Sequence, residues 1–168
     1  MAYTEKVSRM KPHNKNNIPM PEAETPDQAP AEHTGPHAAA HGTGGGVLVL
    51  GGTPIGNLSD ASDRLRQALT TADVIAVEDT RKLRTLASGL GVRTTGRVIV
   101  NHDHNEEYRS TQLVQAVSDG NTVLLLSDAG MPTISDPGYV AACAVADADL
   151  PVTVIPGPSA ALTALALS

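Results

Sequence analysis

The sequence predicts an α/β fold: an open, mainly parallel sheet of about five strands with helices on both faces, preceded by a disordered N-terminal extension. From Val47 onward, short runs of β-branched residues and leucine alternate with longer segments of helical spacing. The runs are apolar throughout, which is typical of parallel strands that helices cover on both sides. We therefore expect an open α/β domain of about 120 residues.

Residues 1–46 differ in composition from the rest of the chain. They contain no leucine, but they hold six of the twelve prolines and four of the six histidines. Such a segment cannot bury enough apolar surface to offset the entropy lost on ordering. We predict a disordered extension over 1–46 and one α/β domain over 47–168.

Five strands are predicted, each from an apolar run bounded by turn or polar residues. They are Val47–Leu50, Val74–Val77, Val98–Val100, Thr122–Leu126 and Val152–Ile155. Five helices follow the strands in turn. The first is capped by Ser59 and carries Leu65, Ala68, Leu69 and Ala72; the others span Thr80–Leu90, Glu106–Ser118 and Tyr139–Ala146, and the last begins at Ser159. Gly91 is placed to end the second helix.

Charge and composition narrow the function classes. The net charge of −6 argues against a stand-alone nucleic-acid binder. From residue 47 onward, all eight arginines and lysines lie between Arg64 and Arg109, so phosphate contacts must come from that part of the chain or from a partner. A single cysteine excludes an internal disulfide and suits a reducing compartment. No apolar stretch reaches the roughly 20 residues needed to span a bilayer, so we expect a cytoplasmic protein without a membrane partner.

Ligands of open parallel sheets bind outside the carboxyl ends of the strands, so the loops at that edge are the candidate site. The loop after the first strand, Gly51–Leu58, matches neither G-x-G-x-x-G nor a G-K-[ST] ending. Lys82 is the only lysine near these loops. A phosphorylated nucleotide is therefore not expected, and the absence of G-x-S-x-G argues against a serine hydrolase.

The candidate site instead combines glycine backbone, proline and carboxylates, above all in Ser127–Gly138. This set suits a cationic or sugar-like ligand, and S-adenosylmethionine has both a sulfonium and a ribose. Glycine permits close backbone approach, and Asp128 and Asp136 are candidates to hold the positive charge. The alternative is that both aspartates only cap helices and accept from turn amides.

Two further loops carry titratable side chains. In Glu78–Arg81, Asp79 is placed to cap the next helix and Arg81 to pair with either acid, which would be a structural role. In His102–Glu106, His102 and His104 are two residues apart and point to opposite sides of an extended segment. We therefore predict no metal site and favour recognition of a polar substrate.

Five of these loops carry motifs that occur in the same order in one known family. They are TPIGNL at 53–58, EDTR at 78–81, HDHNE at 102–106, SDAGMP with ISDPG at 127–138, and PGPSA at 156–160. With these motifs the sequence resembles the tetrapyrrole methylase superfamily, and within it the methyltransferase I family of small-subunit ribosomal RNA. The resemblance covers about residues 47–168 and does not extend to the tail.

The resemblance implies an S-adenosylmethionine-dependent enzyme that methylates the ribose 2′-oxygen of a cytidine in small-subunit (16S) rRNA. It implies the 30S subunit as a partner and a homodimer in the full-length family. The cofactor-binding residues that it implies are Thr53, Pro54, Gly56, Asn57, Ser127, Asp128, Ala129, Gly130, Met131, Pro132, Ser135, Asp136 and Ser159.

The same resemblance implies that the loops at 78–81 and 102–106 face the RNA. The catalytic candidates, which we leave unranked, are Glu78, Asp79, Arg81, His102 and His104. The RNA-binding candidates are Arg81, Arg84, Asn105, Glu106 and Arg109. Without Phe or Trp, RNA held on an aromatic stacking platform is not expected, so we expect the arginines to contact phosphates.

Two alternatives stay open. One is a methyltransferase of the same superfamily that acts on a tetrapyrrole of the precorrin type. The other is a non-catalytic fragment, or a half-enzyme that needs a partner chain. The family continues with a second domain beyond the helix that here ends at Leu165–Ser168. We therefore expect this chain by itself to bind the cofactor weakly and to have little or no methyltransferase activity.

Overall fold

The computed structural model describes residues 45–101, 106–133 and 138–168, without the side chains of residues 106 and 107. The predicted extension thus lies outside the described residues except for Gly45 and Gly46. The strands are β1 (Val47–Gly51), β2 (Val74–Val77), β3 (Arg97–Val100), β4 (Thr122–Leu126) and β5 (Val152–Ile155). The helices are α1 (Asp63–Thr71), α2 (Thr80–Leu90), α3 (Glu106–Ser118), α4 (Tyr139–Asp147) and α5 (Ala160–Ala166).

The five strands form one parallel sheet in the order β3-β2-β4-β1-β5. After β1 the chain passes over its neighbour β4 to reach β2. After β4 it passes over β1, toward the opposite edge of the sheet, to reach β5. The connections of the neighbouring strands β1 and β4 therefore leave in opposite directions. Such a switch point leaves a crevice at the carboxyl ends of the two strands.

Two hydrophobic cores lie on opposite faces of the sheet, because successive side chains of a strand alternate between the faces. On one face Leu65 and Leu69 of α1 and Leu83 of α2 pack with Ile75 and Leu124. The other core is built from helices α3 and α4 with the alternate strand positions: Leu113, Val117, Ala141 and Val145 pack with Leu48, Ala76, Val123 and Leu125. The prediction of helices on both faces is confirmed.

Burial is uneven across the sheet. All four residues of β2 are buried, and in β4 only the first residue is partly exposed. The edge strands β3 and β5 have one buried residue each, so the expectation that every apolar run is covered on both faces is wrong for these two. Helix α5 buries no residue. Within the described parts of the chain, no helix is long and apolar enough to cross a membrane.

The start of α1 differs from the sequence-based expectation. Ser62, not Ser59, occupies the cap position, and its hydroxyl oxygen accepts from the Leu65 amide at 3.1 Å. Ser59 instead lies in a short 3-10 turn, Leu58–Asp60, where its amide donates to the Asn57 side chain. Both serines are of the residue type that caps helices, so composition alone does not distinguish them. The predicted end of α2 is confirmed, since Gly91 is left-handed with φ of 67°.

We expect Ser62→Ala to lower the free energy of unfolding by about 1 kcal/mol, because the Leu65 amide loses its acceptor. The matched control is Ser59→Ala, which should change it by less than about 0.5 kcal/mol. Urea unfolding followed by circular dichroism measures both. Equal losses in the two variants would contradict the assignment of the cap.

Candidate functional site

A cavity of about 210 Å³ lies at the switch point, against the carboxyl ends of β1, β2 and β4. Its polar lining comes from the loops after these strands, and its apolar floor comes from the sheet and from α2. Its lining includes Thr53, Gly56, Leu58, Lys82, Leu86 and Asp128. The site therefore lies where an open parallel sheet is expected to bind a ligand.

The loops after β1 and β4 are joined by their backbones. The Thr53 amide donates to the Gly130 carbonyl at 2.8 Å, and the Gly130 amide donates back to the Thr53 carbonyl at 3.1 Å. Thr53 is 2% exposed, and its hydroxyl lies 3.3 Å from the Gly130 carbonyl oxygen and 3.4 Å from that of Ser127. Because the hydrogen bonds are buried, they fix the position of one cavity wall relative to the other.

The loop after β5 is held against the β1 loop by an approach that leaves no room for side chains. The Gly52 amide donates to the Ile155 carbonyl at 2.9 Å. A Cβ on Gly52 would lie 2.6 Å from the Gly157 backbone, and a Cβ on Gly157 would lie 2.8 Å from the Gly52 backbone. Both positions therefore require glycine, and the three loops form one unit.

The β4 loop adopts unusual backbone angles. Gly130 has φ of 84°, which glycine adopts without steric cost. Thr133, three residues on, has φ of 74°, a left-handed conformation that is an outlier for a β-branched side chain. Strain of this kind costs about 1–3 kcal/mol and persists where the surroundings fix it, often at ligand sites.

Three charged side chains connect the β2 and β4 ends with α2. The Glu78 carboxylate accepts from the Asp128 amide at 3.0 Å, so it orients the start of the β4 loop. The Asp128 carboxylate is 34% exposed and lies 4.0 Å from the Lys82 ammonium. A pair at this distance and exposure is weak, so the Asp128 carboxylate remains available to a ligand in the cavity.

Asp79 and Arg81 form a close exposed pair. Asp79 accepts from the Arg81 amide at 2.7 Å as the cap of α2, and its carboxylate lies 2.7 Å from the Arg81 guanidinium. The side-chain and backbone hydrogen bonds from Arg81 lower the pKa of Asp79 to about 2. A carboxylate with so low a pKa is a weak base, so the structural role anticipated for this pair is the one observed.

The structure separates the residues expected to bind the cofactor into three sets. Thr53, Pro54, Gly56, Ser127 and Asp128 line the cavity. The other described residues of the predicted set do not line the cavity. Asn57 caps the 3-10 turn, the Gly130 backbone pairs with that of Thr53, and the Ala129 carbonyl accepts from the Ser127 hydroxyl. The Met131 sulfur lies beside Gly52, Pro132 is buried, and Ser159 occupies the cap position of α5 without a side-chain cap hydrogen bond. Ser135 and Asp136 lie outside the described residues.

The remaining candidates divide in the same way. His102, His104 and Asn105 lie outside the described residues, as does the side chain of Glu106. Arg109 stacks 5.5 Å from the Tyr108 ring and donates to the Gln112 side chain at 2.6 Å. Arg84 lies outside this cavity and lines a second one. In the described ranges, no three His, Cys, Asp or Glu side chains are grouped as a metal site requires.

Sequence reasoning missed several residues of the site. Lys82 and Leu86 line the cavity but lie outside every loop motif, and Leu58 lines it as the last residue of TPIGNL, which was not among the predicted cofactor-binding residues. Lys82 follows Asp79 by three residues and therefore lies on the same side of α2. This spacing is the one feature of the sequence that could have placed Lys82 at the cavity. Asn101, at the end of β3, is 2% exposed, and its side-chain oxygen has no hydrogen-bond partner among the described residues.

The fold and the site define an open parallel α/β domain with a ligand cavity at its switch point. A sequence model of one family, the tetrapyrrole (corrin/porphyrin) methylases, matches residues 47–168. The chain belongs to this family, as the ordered loop motifs predict.

Two curated relatives are similar to this chain over the same region, and both are named ribosomal RNA small subunit methyltransferase I. The protein of Mycobacterium tuberculosis is 54% identical over 123 residues, which is 73% of this chain and 43% of the relative. The protein of Escherichia coli O157:H7 is 41% identical over 120 residues, which is 71% of this chain and 41% of the relative. The chain thus spans less than half the length of either relative.

Solved structures share the fold at lower identity. Uroporphyrin-III-C-methyltransferase from Thermus thermophilus is 22% identical with a TM-score of 0.53, over 73% of this chain and 53% of that one. A diphthine synthase is 19% identical with a TM-score of 0.54, over 73% of this chain and 48% of that one. At these identities the likeness shows the architecture alone.

We expect Gly157→Ala to lower the free energy of unfolding by about 1–3 kcal/mol, because the added methyl group meets the Gly52 backbone. Gly45→Ala is the control, since a Cβ there has no neighbour within 4 Å. Chemical denaturation measures both. Wild-type stability of the Gly157 variant would show that the loops do not need this close approach.

The carboxyl resonance of Asp79, followed by NMR against pH, should titrate near pH 2. In Arg81→Gln the midpoint should move up toward the ordinary 3.8, because the guanidinium hydrogen bonds to the carboxylate are lost while the bond from the backbone amide of residue 81 remains. The pKa is lowered in the folded state, so the pair stabilises the fold above pH 3.8 and loses this effect as the pH falls through 2. Arg84→Gln is the control, and an Asp79 midpoint that does not respond to Arg81→Gln would contradict the pairing.

Proposed function

We propose that this chain is the cofactor-binding part of an S-adenosylmethionine-dependent methyltransferase that acts on small-subunit ribosomal RNA. The observation that carries the proposal is the cavity at the switch point, where Asp128 and glycine backbone from the matched family motifs come together. The names of the 54% and 41% identical relatives support the RNA substrate.

The residues of the cavity suit this cofactor. Bound there, S-adenosylmethionine supplies an electrophilic methyl group on a positively charged sulfur. The Asp128 carboxylate offers the charge that a sulfonium or ammonium requires, or an acceptor for ribose hydroxyls. Leu58 and Leu86 offer an apolar wall for the adenine. The Arg81 guanidinium is paired with Asp79, and the Lys82 ammonium lies beside Asp128. The cavity is therefore less suited to a phosphorylated ligand.

Methyl transfer is an in-line displacement, and the chain contributes mainly alignment. A carbon–oxygen bond forms at the ribose 2′-oxygen while the carbon–sulfur bond breaks, and the sulfur leaves as a neutral thioether. The paired loops at Thr53 and Gly130 hold the walls of the cavity in fixed positions before any ligand arrives. A preformed geometry of this kind supplies much of the rate of a displacement.

The hydroxyl proton must pass to a base as the oxygen attacks. Asp79 is a poor choice, because Arg81 lowers its pKa to about 2. Glu78 orients the Asp128 amide next to the cavity and remains a candidate. His102 and His104 are the other candidates that the sequence offers. Arg81 acts in this account by holding Asp79, not by touching the reacting atoms.

The finer features of the proposal come from the resemblance of the loop motifs alone. They are transfer to the 2′-oxygen of a cytidine, assembly as a homodimer and a cytoplasmic location, where small ribosomal subunits are found. Exposed apolar side chains on β5 and α5, including Val154, Leu162 and Leu165, agree with an interface there. The tetrapyrrole alternative has less support, since the solved tetrapyrrole enzyme shares only 22% identity.

We expect S-adenosylmethionine to bind the purified chain weakly in a calorimetric titration, because a 210 Å³ cavity covers only part of a ligand of this size. Asp128→Asn should weaken binding at least about tenfold, through loss of a charge-assisted contact. Asp63→Asn, on a fully exposed side chain of α1, is the matched control and should bind as the unaltered chain does.

The reaction itself is measured with radiolabelled cofactor and unmethylated 30S subunits, followed by nucleoside analysis of the 16S rRNA. We expect 2′-O-methylcytidine in a low yield that Asp128→Asn abolishes. Methylation of a tetrapyrrole substrate instead, or cofactor binding that is unaffected by Asp128→Asn, would contradict the proposal.

A further inference from the structure

A second cavity, of about 370 Å³, lies on the other side of α2, between this helix and the edge strand β3. Leu83, Ala87 and Val98 form its floor, and two arginines, Arg84 and Arg93, line it. We call this the α2–β3 groove. It shares Leu83 with the cavity at the switch point and has no other lining residue in common with it.

The α2–β3 groove is strongly positive in an acidic chain. Residues 80–100 contain five arginines and lysines and no acidic residue, although the net charge of the whole chain is −6. The Arg84 and Arg93 side chains are exposed, and neither has a hydrogen bond or ion pair within the described parts of the chain. By contrast, Arg81 and Arg66 are each held by a protein acceptor. The two groove arginines are therefore available to an external anion.

Hydroxyl groups accompany the guanidinium groups. Thr80, Ser88 and Thr94 line the groove, and none of their side chains is hydrogen-bonded to a described residue. Thr80, Arg84 and Ser88 succeed one another at four-residue spacing along α2, so they form a row about 12 Å long. A row of donors of this length suits a linear polyanion better than a single small ion. Arginine, serine and threonine are also among the side chains that commonly contact nucleic-acid phosphates.

The position of the groove relates it to the candidate site. Lys82 and Leu86 face the cavity at the switch point, whereas Arg84 and Ser88 face the groove, so the two cavities lie on either side of one helix. A strand of RNA held along the groove would be separated from the cavity at the switch point only by the width of α2. The RNA would then have to reach only across this helix to place a nucleotide near Asp128.

We propose that the α2–β3 groove binds the phosphodiester backbone of the RNA substrate through Arg84 and Arg93, with the three hydroxyl groups as secondary donors. The choice of RNA as the ligand rests on the proposed function. Arg93, Ser88 and Thr94 thereby become substrate-binding residues that no loop motif marks. The contact is to phosphates, so it is independent of base sequence and sensitive to salt.

The test is fluorescence anisotropy with a fluorescein-labelled single-stranded oligouridylate, titrated with the chain at several salt concentrations and without cofactor. Arg84→Gln and Arg93→Gln should each weaken binding about fivefold to tenfold. Each should also reduce the slope of log K against log salt by about 0.7, the value for one phosphate contact on a single strand. Arg84→Lys should retain the slope, because the charge is kept.

The matched control is Arg64→Gln on α1, whose guanidinium is exposed and donates to the Val154 carbonyl, and it should leave affinity and slope unchanged. No RNA binding, or binding that Arg84→Gln and Arg93→Gln leave unaltered, would overturn the proposal. So would equally tight and equally arginine-dependent binding of a labelled poly-glutamate, which would mark a site for an acidic peptide. Because this assay contains no S-adenosylmethionine, arginine-dependent RNA binding supports the groove even where the cofactor titration fails.

Discussion

The mutual approach of three loops at the carboxyl edge of the sheet is the constraint on which the site depends. Gly52 and Gly157 meet so closely that neither tolerates a Cβ, and Thr53 and Gly130 exchange two backbone hydrogen bonds. The Thr53 and Ser127 hydroxyls add hydrogen bonds to carbonyls of the β4 loop, whereas the Asp128 carboxylate remains available to a ligand. The walls of the cavity are thereby set by the fold itself and need no ligand to bring them together.

The strand order explains why two different surfaces can serve one reaction. Because β1 and β4 are neighbours whose connections diverge, the cavity opens between them, and α2 forms its outer side. The same helix presents its opposite side to the edge strand β3, where Arg84 and Arg93 line the groove. One helix thus separates the cavity that we propose for the cofactor from the groove that we propose for the phosphate backbone.

The strands could be predicted from the sequence to within one residue, because buried parallel strands are apolar throughout and turn or polar residues bound them. The cap of α1 could not, since Ser59 and Ser62 are equally good capping residues and only the 3-10 turn at Leu58–Asp60 decides between them. The loop motifs contain Thr53 and Asp128, which line the cavity. Lys82 also lines the cavity, but its position there depends on the strand order, which no motif gives. Likewise, Arg84 and Arg93 line one groove because Gly91 ends the helix and turns the chain.

We propose that the cavity between the β1 and β4 loops is the cofactor site. Two-dimensional amide NMR of the labelled chain, recorded during a titration with S-adenosylmethionine, can locate the bound cofactor. We expect shifts concentrated at the amides of Thr53, Gly56, Ser127 and Asp128, with little change at Arg84 and Arg93. Shifts confined to the α2–β3 groove, or spread over the surface without these four amides, would contradict it.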